Sequence, residues 1–594
     1  MLLDNEIRIL DILPYGTRGP RGPLECEVRV ENLSDCPVYD TLSYRWGDPG
    51  SKRYILVDNH EFFVTETLFA ALLRLRQKET KQSIWIDQLC IDQSNLIEKA
   101  IQVRLMGEVY SKCNQCFIWM EEIDNSIPLA HVEAIIEMLS WMADNGRSLP
   151  VPACLASPSD FQGPCKALNS IGPFEHPWWH RIWTVQEAII PLKKSLLWGP
   201  IRLSWDTLSS CANIWTTVGA PIELKKRIYD TDVPSVDYTV SAIFGWLFCN
   251  VVWVDEARKF PDHPIMALLR WNRRNATDLR DKVFGLLGLI SSDVELYYTS
   301  RCDYTTPHAR VHTAFTLDMI LHDRGLGPLV IQLRKPLDEY TKELPTWVGD
   351  MSDGEFQIKA DGFYLFWGYE QYSACASEGL DEAALTDEIK IWNLSSQVLN
   401  PTLGLTGVAV DTLVSIGPKL QAITMKDSVQ VAETLRSWLG MARRYHKTID
   451  NGLSGDDLTR TFYRVLVGDR IRNSEQEVVR KPSEQDYADI AQFVNIAQGK
   501  INGLWFWDRY VGNQAFFITK DGTMGMGNFD VKVGDEVWVF GGGKMPLAIR
   551  KIEGGSEDDF NFVCCCYFDG VMDGEIYSDI PRPTMGQRRT IRLQ

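Results

Sequence analysis

The stretch that most constrains the fold runs from Ser83 to Met120, SIWIDQLCIDQSNLIEKAIQVRLMGEVYSKCNQCFIWM. Its first apolar run, Ile84-Trp85-Ile86, is short, rich in β-branched residues and stopped by Asp87. That is the pattern of a buried strand with acidic groups at its carboxyl end. A second apolar pulse, Leu89-Cys90-Ile91, ends at Asp92-Gln93. Ser94 or Asn95 is placed to cap a helix with Glu98 in its first turn. Ile97, Ile101, Leu105 and Val109 recur at four-residue steps and define the expected buried stripe of that helix, with Lys99, Arg104 and Glu108 off it. Gln115 to Met120 reads as the next strand. Strand, polar loop, helix, strand is a βαβ unit, which implies an α/β sheet with parallel strands. Such sheets hold ligands in the loops beyond their strand carboxyl ends. Asp87, Asp92, Gln93 and Glu98 are therefore candidate site residues.

Trp85-Ile86-Asp87, Cys90-Ile91-Asp92-Gln93, Glu98, Gln102-Val103, Met106 and Tyr110 resemble the core signature of the fungal heterokaryon-incompatibility (HET) domain. The family wording is close to W-I-D-x-x-C-I-N-Q followed by E-R-x-x-Q-V-x-x-M-x-x-I-Y. Asp92 stands where the family usually has Asn, and Lys99 where it has Arg. Tyr39 to Asp48, a strand breaking into a loop at Gly47, resembles the first family motif, A-L-S-Y-x-W-G. Arg181, Trp183, Gln186 and Glu187 resemble the third, R-x-W-T-x-Q-E. Arg280 to Leu289 is similar to a segment common downstream of HET domains. It reads as packing and turn residues, with Leu286, Leu287 and Leu289 in the core and Arg280-Asp281 as a local ion pair.

Ser43-Tyr44-Arg45 is also similar to the S-Y-R opening of TIR domains. Trp183 to Glu187 repeats the spacing in which NAD-cleaving TIR domains carry their glutamate, with Thr184 in place of the usual Cys. The resemblance implies a TIR-like (flavodoxin-like) parallel-sheet domain and Glu187 as its catalytic carboxylate, with Asp87 and Glu98 as further catalytic candidates. Ser43, Tyr44, Arg45, Trp46, Asp92, Gln93 and Trp183 are the implied nucleotide-binding set. The chemistry is coherent: cleaving a nicotinamide–ribose bond develops positive charge on the sugar, which a nearby carboxylate stabilises. NAD would be a substrate; no cofactor and no metal are called for. Each residue has a structural alternative. Glu187 could form a salt bridge to Arg181, and Glu98 could simply be a first-turn residue favoured by the helix dipole. Asp87 and Asp92 could be strand-end hydrogen-bonding groups, Cys90 a small buried hydrophobe, and Trp46, Trp85 and Trp183 core residues.

At 594 residues the chain is too long for one core. The reading is an α/β HET domain over 1–215, a mainly helical middle region over 216–450 and a β-rich domain over 451–594. Within the first, a helix near Leu129 to Met142 is followed by a Pro-, Ser- and Gly-rich linker through Gly172. Glu378 to Glu388 is an acidic, exposed stretch. Gln514 to Thr519 and Thr523 to Gly527 form a hairpin through Asp521-Gly522. The apolar run Val240 to Val254 is short for a membrane span and reads as a buried helix. The formal charge of −18 argues against nucleic acid as a general partner. Fourteen cysteines without a secretory signal suit reduced thiols in the cytoplasm. Cys113-x-x-Cys116 lacks a second pair at zinc-like spacing. The expected role is non-self recognition coupled to cell death, with NAD or another nucleotide as ligand and protein partners or self-association. The alternatives are a non-catalytic signalling module and a HET scaffold recruited to small-molecule metabolism.

Overall fold

Hydrophobic pulses bounded by polar residues become strands, and the first nine assemble into one sheet. They are β1 (Glu6–Ile12), β2 (Glu25–Asn32), β3 (Asp40–Ser43), β4 (Lys52–Val57), β5 (His60–Thr65), β6 (Gln82–Trp85), β7 (Cys116–Trp119), β8 (Lys194–Trp198) and β9 (Ile201–Ser204). The computed structural model describes the chain except for residues 1, 3, 17, 18, 20, 21 and 147 and the stretches 229–239, 331–342, 352–369, 376–388, 393–400, 421–427, 450–453, 473–478, 497–513 and 578–586. The acidic stretch Glu378 to Glu388 thus lies outside the described residues. Two units emerge, Met1–Pro307 and His308–Gln594. Their boundary falls inside the stretch read as one helical middle region.

In the first unit the strand order is β5-β4-β2-β1-β6-β3-β7-β8-β9. Only part of this sheet follows the all-parallel expectation. The block β6-β3-β7-β8 is parallel throughout, and within it the strands lie in chain order 2-1-3-4. On one side β1 pairs antiparallel with β6, and on the other β9 pairs antiparallel with β8. The sheet is mixed because the first two strands and the β4–β5 hairpin extend it beyond the βαβ core.

The helices are α1 (Glu66–Leu75), α2 (Asp87–Cys90), α3 (Leu96–Lys112), α4 (Leu129–Ala143), α5 (Pro158–Ile171), α6 (Trp183–Ile189), α7 (Trp205–Thr217), α8 (Ile222–Ile228), α9 (Val240–Lys259), α10 (Pro264–Trp271) and α11 (Asp281–Leu287). Asn95 caps α3 by accepting from the amides of Ile97 and Glu98. The buried face of α3 is rotated from the expected stripe. Ile97 is 60% exposed, whereas Glu98, Gln102, Val103, Leu105, Met106, Val109 and Tyr110 are buried. Polar partners on the β1 side account for this: Arg8 pairs with Glu98, and Gln102 Nε2 donates to the Glu6 carbonyl at 2.8 Å. The stretch expected as a linker contains helix α5, which starts on a Ser157 cap with Pro158 in its first turn. Helix α9 has the length and composition to cross a membrane, and half of it is buried within the protein, including Phe244, Leu247, Phe248 and Val251.

In the second unit the central strand is Thr402–Ile416, within the stretch expected to be mainly helical. It pairs with Ile389–Trp392, Gln514–Thr519, Glu536–Phe540 and Arg589–Leu593. The expected hairpin forms, with Ile518 opposite Met524 and Gly522 in the left-handed region its turn requires. Helices Ser428–Ile449 and Gly455–Leu466 cover this β-structure. Trp438 stacks on Phe516 with ring centres 5.8 Å apart, and Phe462 meets the same ring edge-on at 5.3 Å.

Candidate functional site

The carboxyl ends of β3, β6 and β7 lie at one edge of the first sheet, since Thr41 is level with Trp85 and Ser43 with Ile118. The chain leaves β3 through Tyr44 to Gly47. Gly47 has a φ of 76°, and a Cβ there would collide with Thr67, so both conformation and space demand glycine. Helix α6 packs against β3 and β7. Its carbonyl end is tied down by Lys194, whose buried ammonium donates to Ala188 O at 2.5 Å. Its opposite side is locked to α11: Gln186 Nε2 donates to Gly285 O at 2.9 Å and Phe284 O at 3.3 Å. Gly285 and Gly288 allow that approach, since an added Cβ would lie 2.9 Å from Ile182 Cγ1 or 2.6 Å from Gln186 Oε1. The segment downstream of the HET-like motifs is therefore part of the same unit and braces the helix that carries Glu187.

Glu187 is buried, 2% exposed, and accepts a hydrogen bond from Ser43 Oγ at 2.5 Å. Trp178 Nε1 donates to the same Ser43 oxygen at 2.8 Å, completing a chain from indole to hydroxyl to carboxylate. Thr184 Oγ1 bonds back to the carbonyls of Trp178 and Arg181, each at 2.8 Å, and so fixes the approach to α6. Burial pushes the Glu187 carboxyl up to about 7; Arg181 and the Ser43 hydroxyl oppose this, while the Asp87 charge adds to it. Burial also raises Asp87, against Arg181, the Trp46 indole, the Gln88 amide and Lys99. Trp46 Nε1 donates to Asp87 Oδ2 at 2.7 Å, and the Arg181 guanidinium lies 5.9 Å from the centre of the Trp46 ring. Arg181 donates to the Tyr44 carbonyl rather than forming a closed salt bridge with Glu187.

The remaining candidates divide. Tyr44 is buried and donates its hydroxyl to Gln88 Oε1 at 2.7 Å. Gln93 Nε2 supports the Asp87 carbonyl at 3.1 Å. Arg45 pairs with both oxygens of Glu121, a residue in the left-handed region just beyond β7. Glu98 is not part of the group. Arg8 grips both its oxygens and holds its carboxyl below the usual range despite burial, and its Oε1 also accepts from the Asp92 amide at 3.0 Å. Asp92 is exposed and turns back onto the Ser94 amide and hydroxyl at 3.1 and 2.6 Å. Trp183 and Glu187 lie one turn apart on α6 but face different groups: Glu187 takes Ser43, whereas Trp183 acts on the Asp281 carboxyl. Asp281 also accepts from Tyr304 Oη at 2.6 Å, and Arg280 pairs with Asp278 instead. The expected Arg280–Asp281 ion pair is absent because Asp278 offers Arg280 a bidentate partner. Sequence reasoning assigned no role to Trp178 and gave Asp281 only the ion pair with Arg280. A tryptophan pair before the third motif and an acid after Arg280 carry no spacing that points to either.

Residues 39–187 match the family model of the heterokaryon incompatibility protein (HET), and residues 507–583 match the Het-6 beta-barrel domain. The chain is thus a heterokaryon-incompatibility (HET) domain protein. It is similar over most of its length to heterokaryon incompatibility protein 6, OR allele, of Neurospora crassa. The two are 24% identical over 668 aligned positions covering 96% of this chain and 94% of that protein. No solved structure matches the chain.

Proposed function

We propose that the first unit is a TIR-like domain that cleaves the nicotinamide–ribose bond of NAD. On this reading the protein is an intracellular effector of non-self recognition and cell death; its Neurospora relative is named a heterokaryon incompatibility protein. The observation that supports this best is the Ser43–Glu187 contact at the point where strand order reverses. In a parallel block ordered 2-1-3-4, the crevice between the first and third strands is where ligands bind; here those strands are β3 and β7, and Glu187 sits on Ser43 at the end of β3. The C1′–N bond breaks with its electron pair on nicotinamide, a neutral leaving group. The ionised Glu187 carboxylate stabilises the positive charge on the ribose. Water adds to C1′ and gives its proton to Glu187, leaving ADP-ribose. With its pKa about 7, Glu187 makes the rate climb as pH rises through neutrality.

Nicotinamide release from NAD by the purified chain, compared with Glu187→Gln, tests this. Turnover by the wild type and its loss of at least about a hundredfold in the variant are expected. Turnover retained by the variant would refute the role of Glu187. The near-complete burial of Glu187 favours a second reading, a signalling module without chemistry, in which the carboxylate only joins α6 to β3. Lack of any nicotinamide release would leave that reading in place.

A further inference from the structure

The first sheet ends on β5, which pairs with β4 along one side and with no strand among the described residues along the other. Asp58 and Asn59, both in the left-handed region, make the tight turn between the two strands. The Leu56 amide donates to Leu24 O at 2.9 Å, toward β2. Leu56 and its opposite residue Glu61 therefore exchange no bonds. The alternation of the ladder then turns outward the amides and carbonyls of Glu61 and Phe63 and the amide of Thr65, whose carbonyl starts α1. The hairpin has two unlike faces. Ile55 and Val64 are buried in one cluster with Leu68 of α1. On the other face Tyr54 and Phe63 stand opposite one another, 54% and 58% exposed. Lys52 and Glu61 lie on that same outer face, both exposed, and the ion pair beside them joins Arg53 to Glu66 instead.

We propose that β5 is a self-association edge: a second copy of this chain adds its own β5 antiparallel to the first, about a twofold axis at Phe63, making one continuous sheet. In the register with Phe63 opposite Phe63 of the second copy, these two residues exchange both backbone bonds. The Thr65 amide meets the Glu61 carbonyl of the second copy, and the reverse. Tyr54 and Phe63 then continue into Phe63 and Tyr54 of the second copy as one row of rings on the outer face. On the other face Phe62, 44% exposed, is covered by Val64 of the second copy. Charge fits as well. Glu61 comes within two strand spacings, roughly 10 Å, of Lys52 of the second copy, with only the short Thr65 side chain between them. A register shifted by two residues sets Glu61 against the Phe63 ring and loses this match. Analytical ultracentrifugation of the full chain over a range of concentrations tests the proposal. The wild type should show a monomer–dimer equilibrium, and hydrogen exchange across His60–Thr65 should slow as the dimer forms. Phe63→Lys should weaken association at least about tenfold. Glu61→Lys should weaken it too, and adding Lys52→Glu to Glu61→Lys should restore it. The charge variants, at exposed positions, decide the matter if Phe63→Lys does not fold. A wild type that stays monomeric at the highest soluble concentration would overturn the proposal and leave this edge to a strand of a different protein. A dimer indifferent to Phe63→Lys, one that leaves the His60–Thr65 amides unprotected, or a charge swap that fails to restore association would also overturn it.

Discussion

Replacing Glu187 by Gln should make the first unit more stable at alkaline pH, even though the residue sits in the proposed site. The carboxyl is raised from its ordinary 4.5 to about 7, chiefly by burial. The folded state thus holds this proton more tightly than the unfolded chain. Stability is fully present below about pH 4.5, falls as pH rises, and levels off above about 7. A displacement of that size corresponds to roughly 3 kcal/mol between the protonated and ionised forms. Gln keeps the shape and an oxygen for Ser43 but cannot ionise. The two proteins should be nearly equal at pH 5, and the variant should be ahead by about 2–3 kcal/mol at pH 8.5. Hydrogen exchange of peptides spanning β3 and α6 follows the first unit separately and should slow by about a hundredfold in the variant at the higher pH. A difference that does not change between pH 5 and 8.5, or one in which the wild type gains with pH, would refute the reasoning.

Glu98→Gln should lower stability by about 2–3 kcal/mol, because it strips a partly screened Arg8 of its partner; chemical denaturation checks this, and an unchanged midpoint would contradict it. Gly288→Ala should cost about 1–3 kcal/mol, since its Cβ would press on a Gln186 side chain already bonded to α11. Thermal unfolding reads this, and a higher melting temperature would be the opposing result. In the second unit, burial and the adjoining Asp521 raise the Asp411 carboxyl, so that its contribution fades as pH rises above the ordinary carboxylate range. Asp411→Asn should therefore flatten the pH dependence of hydrogen exchange in Thr402–Ile416; a profile matching the wild type would count against it.

What was legible in the sequence was local. Apolar pulses ended by acids located β6 and β7, Ser94-Asn95 announced the start of α3, and Asp521-Gly522 announced a hairpin. The βαβ pattern placed Asp87 at a strand's carboxyl end, while Ser43 and Glu187 were singled out by the family resemblance rather than by any period. What was hidden depends on partners far away along the chain. The Trp178–Ser43 bond spans 135 residues and obeys no period. Apolar periodicity misplaced the inner face of α3 because two of its buried residues are polar and find partners on the β1 side. Composition concealed α5, where Ser157-Pro158 is a cap rather than a linker sign. Arg280 stands next to Asp281, yet geometry gives it to Asp278.

Strand Thr402–Ile416 carries a consequence for biosynthesis. Its partner Arg589–Leu593 joins it through pairs such as Thr406 with Thr590, 184 positions apart. Arg589–Leu593 also pairs with Asp559–Cys565 and so links the two. A nascent polypeptide that has reached the middle of this unit can pair this long, hydrophobic strand only with Ile389–Trp392. Closure waits for the last partner to leave the ribosome, and contacts of such separation form slowly. Removing Arg589–Leu593 would leave Thr402–Ile416 with an open flank, the kind of edge on which chains aggregate.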